Sequence, residues 1–270
     1  MQRHQLVGPR AFYRLWVQPN AGARGGDLRP RADDGKKSAA VHLRGSFAAT
    51  PVVEASERRT GTFSSRRDQR EVAILLVLLV FAVILSGISP HDRLTWVLEE
   101  SPLFIGVPLL IATRRRFPLT LLAYRLVFIH ALLLTFGAHY SFSEVPLGLW
   151  LRDVLGLARN NYDRVVHFVG GVAPAILGRE ILRRKIPLRP GGWLFFLVAL
   201  GCLGGSALYE ILEWWAAAIT GAQASAFLAT QGDLWDSQWD MFLGLAGAVV
   251  GQLVFTRLHE RELAGSGGRL

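Results

Sequence analysis

The chain has 270 residues, of which 51% are apolar and 19% charged, with a mean hydropathy of +0.29. That balance excludes a disordered protein and argues against an ordinary water-soluble domain, and a single cysteine, Cys202, excludes a disulfide framework or a Cys-based zinc module. The net charge of +9 is unevenly placed: residues 1–70 hold 14 basic and 6 acidic residues, whereas residues 71–270 hold 16 and 15.

Residues 1–70 are rich in Arg, Gly, Ala and Ser and carry no sustained apolar period. Such a segment buries too little surface to offset its ordering entropy, so the expectation is a disordered basic N-terminal arm. Its composition is compatible with a tail touching anionic lipid, with a targeting peptide, or with an upstream extension from an early start codon that has no structural role.

From Glu71 the pattern changes. Val72–Ile88 is uncharged over 17 residues, close to the roughly 17–25 needed to cross a bilayer, and it fits a cleaved signal peptide poorly because it lies far from the N-terminus. Leu94–Thr113 is a second span, weakened by Glu99, Glu100, Pro102 and Pro108. Phe117–Ala138 is a third, carrying Arg125, expected to snorkel or to pair with Glu180, and His130, expected to be a packed histidine. Pro146–Ala158 places Leu147, Trp150, Leu151, Val154 and Leu155 at helical spacing opposite Arg152 and Asp153, which reads as a helix lying flat on the outer surface. Val165–Gly178 is a fourth span, which Gly170-Gly171 and Pro174 are expected to interrupt. Gly191–Tyr209, continuing to Ala218, is a fifth, with Cys202 inert in its apolar stretch. Met241–Thr256 is a sixth, with Gly244, Gly247 and Gly251 on one face, as where helices approach closely. The expected fold is an all-α polytopic membrane bundle of about six spans plus the outer interfacial helix. Residues 71–260 form the membrane domain and residues 261–270 a flexible tail.

The loops fix an orientation. Arg66, Arg67 and Arg70, Arg114–Arg116, Arg183–Lys185 with Arg189, and Arg257 with Arg261 fall on one side. The positive-inside rule makes that side cytoplasmic, with both termini there. The acids sort the other way: of 15 after residue 70, only Glu71, Glu180, Glu260 and Glu262 map to the basic side.

Four span ends bring acids and one imidazole to a single depth at the outer side. Asp163 and His167 are spaced i,i+4, Glu210 and Glu213 i,i+3, and Asp236 and Asp240 i,i+4, so each pair shares a helix face. Carboxylates crowded into a low-dielectric rim persist only with protons, cations or a metal. These six residues are therefore the candidate catalytic and metal-ligating set for a divalent cation held mostly by oxygen. His139, Glu144, Arg159, Asn160, Tyr162, Arg164, Gln231, Asp233 and Gln238 lie at the same span ends and are candidates for substrate binding, the arginines for an anionic group. A structural reading stands beside this one. Glu210 and Glu213 could pair with Arg159 and Arg164, Asp233 and Asp236 could cap a helix, and Trp214, Trp215, Trp235 and Trp239 could form an interfacial belt.

Several stretches carry a resemblance: His139-Tyr140 with Glu144-Val-Pro-Leu-Gly148, Arg159-Asn-Asn-Tyr-Asp-Arg-Val-Val-His-Phe168, Ala207-Leu-Tyr-Glu-Ile-Leu-Glu-Trp-Trp215, and Thr230-Gln-Gly-Asp-Leu-Trp-Asp-Ser-Gln-Trp-Asp-Met241. On these the body, roughly residues 71–260, resembles the YjdF family of bacterial inner-membrane proteins, which implies a polytopic membrane protein without an established activity. A weaker likeness is to VanZ-like membrane proteins, through Asp163, His167 and Asp236/Asp240 ahead of the Gly-rich last span. This chain departs from them in the Glu-x-x-Glu-Trp-Trp of its fifth span, and the likeness implies only an envelope setting. Three functions remain in view: a metal-dependent enzyme acting on an envelope or lipid-linked substrate, a structural or sensing partner of an envelope lipid or protein, and a cation- or proton-coupled transporter. The bilayer is the expected surrounding, and no nucleic-acid partner is expected.

Overall fold

A computed structural model of the chain describes residues 66–186, 188–220 and 230–267; the expected basic arm, apart from Arg66–Arg70, lies outside the described residues. Those residues form helices with no strand: α1 (Arg66–Ser86), α2 (Arg93–Glu99), α3 (Ser101–Thr113), α4 (Leu121–Tyr140), a 3-10 turn (Phe142–Glu144), α5 (Pro146–Leu155), α6 (Tyr162–Lys185), α7 (Gly192–Thr220) and α8 (Asp236–Gly267). Five of them are long and apolar enough to cross a membrane, and α2 with α3 makes a sixth span bent by 41°. The expected second span is thus broken where its two glutamates sit, with Pro102 starting α3 after the break.

The helices alternate between two ends. The starts of α1, α4 and α7 and the ends of α3, α6 and α8 share the arginine-rich end. α6 and α4 are the most buried spans, and α1 and α7 the least. Ile74, Val77, Phe81 and Ile84 of α1 and Phe196, Leu200, Leu208 and Ile211 of α7 are exposed, as the lipid-facing side of a bundle must be. The central contact is α6 against α8. A Cβ on Gly171 would fall 2.0 Å from the Gly244 carbonyl oxygen, and one on Gly247 1.9 Å from that of Phe168. Glycine at these positions lets the two backbones touch. Contrary to expectation, α6 runs unbroken through Gly170, Gly171 and Pro174. The glycine pair is filled by α8 and by His130, which packs against Gly170, so no gap opens there.

At the basic end a buried carboxylate anchors α4. Glu180 accepts the Thr120 backbone N–H at 3.0 Å on each oxygen and the Thr120 hydroxyl at 2.7 Å, and it pairs with Arg184 at 2.6 Å. His259 faces it at 3.3 Å. Glu262 accepts the Leu122 N–H at 2.9 Å. Two acids thereby satisfy the free amides and the positive dipole end of α4. Glu180 is therefore engaged, and the expected pair with Arg125 does not form. Arg125, one turn into α4, faces α1 and binds Glu71 at 2.6 Å. α8 also continues to Gly267, past residue 260, where a flexible tail was expected to begin.

At the opposite end Asp92 caps α2, accepting the Thr95 N–H at 2.7 Å. That backbone bond holds the Asp92 carboxyl below the usual carboxylate range. α5 is amphipathic and short, closed by Gly156 in the left-handed region (φ 64°). Its Leu147, Trp150, Val154 and Leu155 are exposed, and Arg152 pairs with Asp153 at 2.7 Å on the polar side.

Candidate functional site

The site is built on the first turns of α6 and α8 and the last third of α7. Its foundation is Asn160, which is fully buried just ahead of α6. The Asn160 amide donates to the Ser143 and Val145 carbonyls at 3.0 and 3.1 Å, and its Oδ1 accepts the Tyr162 N–H at 3.0 Å. Its backbone exchanges two 2.9 Å bonds with the Gln231 side chain. A Cβ on Gly148 would fall 1.8 Å from Asn160 Oδ1, so glycine there makes room for the amide. This knot ties the turn before α5, the start of α6 and the loop before α8 into one corner.

From that corner α6 projects Asp163 and, one turn on, His167. His167 Nε2 lies 3.4 Å from Asp163 Oδ1, and Nδ1 lies 3.9 Å from Glu210 Oε1 of α7. Asp240 of α8 completes a group in which one ligand atom each of Asp163, His167 and Asp240 lies within 4.8 Å of the others. Ligands on opposite sides of a divalent cation stand about 4–5 Å apart, given bonds of about 2.0–2.6 Å. The group is therefore of metal-site dimensions. Asp163, Asp240 and Glu210 are buried. Asp240 Oδ1, Glu210 Oε1 and the Tyr209 hydroxyl have no hydrogen-bond partner among the described residues. Glu213 stands one turn beyond Glu210, near enough for its charge to act on Asp163, His167, Asp240 and Glu210. Unpartnered buried oxygens around one imidazole are costly without a proton or a cation.

A second layer holds the arginines. Arg159 is ion-paired with buried Asp236 and lies 3.6 Å from Asp233. Arg164 binds Asp233 at 2.5 Å and lies over the Trp239 ring at 5.4 Å. The Trp235 backbone N–H, then the Arg164 and Arg159 guanidiniums, hold the Asp233 carboxyl below its usual range. The arginines thus pair with Asp233 and Asp236, and not with Glu210 and Glu213 as the structural reading had it. Asp236 is taken up by Arg159 and stands apart from the metal-sized triad.

Of the remaining candidates, Tyr162 donates to the Leu133 carbonyl at 2.8 Å and is a packing residue. His139 donates from Nδ1 to the Ser86 carbonyl at 2.8 Å, at the junction of α4 with α1. Glu144 and Gln238 are exposed and not drawn into the cluster. The sequence reading missed Glu99 and Glu100. Both are fully buried at the break between α2 and α3, and Glu99 is close enough to Asp163 for the charges to interact. The signal that finds them is an acidic pair inside an apolar run, which weighs more as a functional mark than as a defect in a span.

A family model described as predicted membrane protein (DUF2238) matches residues 71–261. The inner membrane protein YjdF of Escherichia coli (strain K12) is 47% identical over 185 residues, covering 68% of this chain and 88% of the relative. The likeness to VanZ-like proteins is not shown by these comparisons. No solved structure matches the chain.

Proposed function

The chain belongs to the DUF2238 family of predicted membrane proteins, and we propose that it is a divalent-cation-dependent enzyme of the bacterial inner membrane, acting at the outer leaflet on an anionic, lipid-linked group. The observation that carries this reading is the Asp163–His167–Asp240 triad. Two carboxylates and one imidazole suit Mn²⁺, Mg²⁺ or Zn²⁺. A cation there would polarise a phosphate or ester oxygen, or supply a hydroxide from bound water. Glu210, beside His167 Nδ1, is placed to orient the ring or to take a proton. Arg159 and Arg164 flank Asp163 along the chain and are held by Asp233 and Asp236, and an incoming phosphate would compete with Asp233 for them. By the positive-inside rule, the basic loops support a topology with both termini in the cytoplasm and the triad on the outer side.

Mn²⁺ titration of the protein in nanodiscs, followed by electron paramagnetic resonance, tests the reading. The wild type is expected to bind the ion, and H167A and D240N to lose about 10-fold or more in affinity while keeping their helix content. Divalent-dependent release of phosphate from a lipid-linked phosphoester should vanish in H167A. Wild-type protein that binds none of the three ions and gains no thermal stability from them would sink the proposal. A transport reading is favoured by one observation, the break in a span at two buried acids. Cation or proton flux through reconstituted liposomes decides for it.

A further inference from the structure

We propose that the protein holds an anionic phospholipid of the leaflet at its arginine-rich end, with an acyl chain in a cavity between α1, α3 and α4 and the headgroup phosphate on Arg114. The site lies at the opposite end of the bundle from the triad, so it stands whether or not a cation binds there. Leu76 and Leu79 of α1, Val107 and Ile111 of α3, and Tyr124 and Phe128 of α4 line the cavity, which measures about 510 Å³ with its open side included. Arg114, at the C-terminal end of α3, is the charged residue among those that line it.

The depth of the cavity selects its occupant. From Arg114 back to Val107 is seven residues of helix, about 10 Å at 1.5 Å per residue, against a hydrocarbon core of about 30 Å. Beyond that depth Leu79, Val107 and Phe128 meet in one apolar cluster. A spanning helix from a second copy needs about 20 residues and does not fit a cavity that ends so soon, whereas a lipid tail entering from one leaflet does. An entirely apolar cavity would take any tail, and Arg114 makes the choice. It is half-buried and has no ion pair among the described residues, while Arg125 and Arg184 at the same end are bound by Glu71 and Glu180. A guanidinium at the basic end of apolar space matches a phosphate with two parallel hydrogen bonds. Arg115 and Arg116 follow it, both exposed. A zwitterionic headgroup would bring its ammonium among these cations, and an anionic one brings a net negative charge instead. Basic pockets between spans on the cytoplasmic side recognise anionic headgroups for this reason. The chain's own N-terminal residues are net basic and are a poor match for the same arginines.

Native mass spectrometry of the full chain tests the site, with dioleoylphosphatidylglycerol and dioleoylphosphatidylethanolamine as probes that share their tails and differ in headgroup charge. The wild type is expected to retain the phosphatidylglycerol in preference. R114Q is expected to weaken that retention about 5-fold, the loss of one cation at a membrane surface. R189Q removes an exposed cation at the same end but outside the cavity, and should leave retention within about 2-fold. I111W fills the cavity with an indole and is expected to lose the retained lipid while keeping wild-type helix content; it decides the matter if R114Q does not fold. No preference in the wild type, equal loss in R114Q and R189Q, or full retention in I111W overturns the proposal. So does a dimer that retains no lipid, since a second copy would then cover the cavity.

Discussion

Arg159 is buried among carboxylates, and such a guanidinium is tolerated only while it is paired. Replacing it with methionine leaves Asp236 buried and uncompensated. R159M is expected to cost about 3–5 kcal/mol of stability, and R159M/D236N to recover most of that loss, as read by unfolding in nanodiscs. Failure of the double variant to recover would mean that Asp236 has a second partner that needs its charge. Asp92 gives a residue-scale prediction with a pH sign. Its folded pKa lies below the unfolded one because the Thr95 N–H bonds the carboxylate. The stabilisation is therefore present above the unfolded carboxylate pKa and is lost as pH falls through the folded pKa. D92A is expected to be about 1 kcal/mol less stable than wild type at neutral pH. That gap should close on acidification; a gap constant down to pH 3 would contradict the capping account.

Among the elements, α6 and α8 depend on each other through glycine. In a bilayer, helices gain little from hiding apolar surface from one another, so close backbone packing has to supply the adhesion. G247A puts a methyl group onto the Phe168 carbonyl and is expected to destabilise the protein by about 1–3 kcal/mol. Gly178 is the control, because a Cβ there meets nothing within 4 Å. G178A is expected to be neutral, or stabilising by up to about 1 kcal/mol through helix propensity. Thermal unfolding of both variants compares them directly, and equal effects would refute the close-contact account. The α2–α3 pair shows the opposite economy. It gives up the continuity of a span and gains a bend that turns two acids inward.

For the whole molecule the governing asymmetry is charge. Arginines collect at one end, while the acids collect at the other around His167. The positive-inside rule turns that into an orientation that surface labelling can check. In a C202S background, E144C is expected to react with an impermeant maleimide on intact cells, and R189C only after permeabilisation. The reverse pattern would place the triad in the cytoplasm and remove the outer leaflet from the proposed function. Neither substitution disturbs packing, since both side chains are exposed.

Much of this was legible in the linear chain. Apolar runs of bilayer length determine the number of spans, because in lipid a backbone has to satisfy its own hydrogen bonds. The i,i+4 step from Asp163 to His167 determines that the two share a face, because helix geometry is local. What a residue meets across the bundle is not local. Asp236 and Asp240 are one turn apart on α8 and equally acidic, yet one is neutralised by Arg159 and the other joins the imidazole. Arg125 turns to Glu71 and not to Glu180, because α4 presents it to α1. Glu99 looked like a flaw in a span, yet at the bend it is fully buried, with no hydrogen-bond partner among the described residues. Membrane insertion and helix periodicity are written in neighbouring residues. The pairing of charges is decided by which helix faces are packed together, and that arises only when the tertiary fold forms.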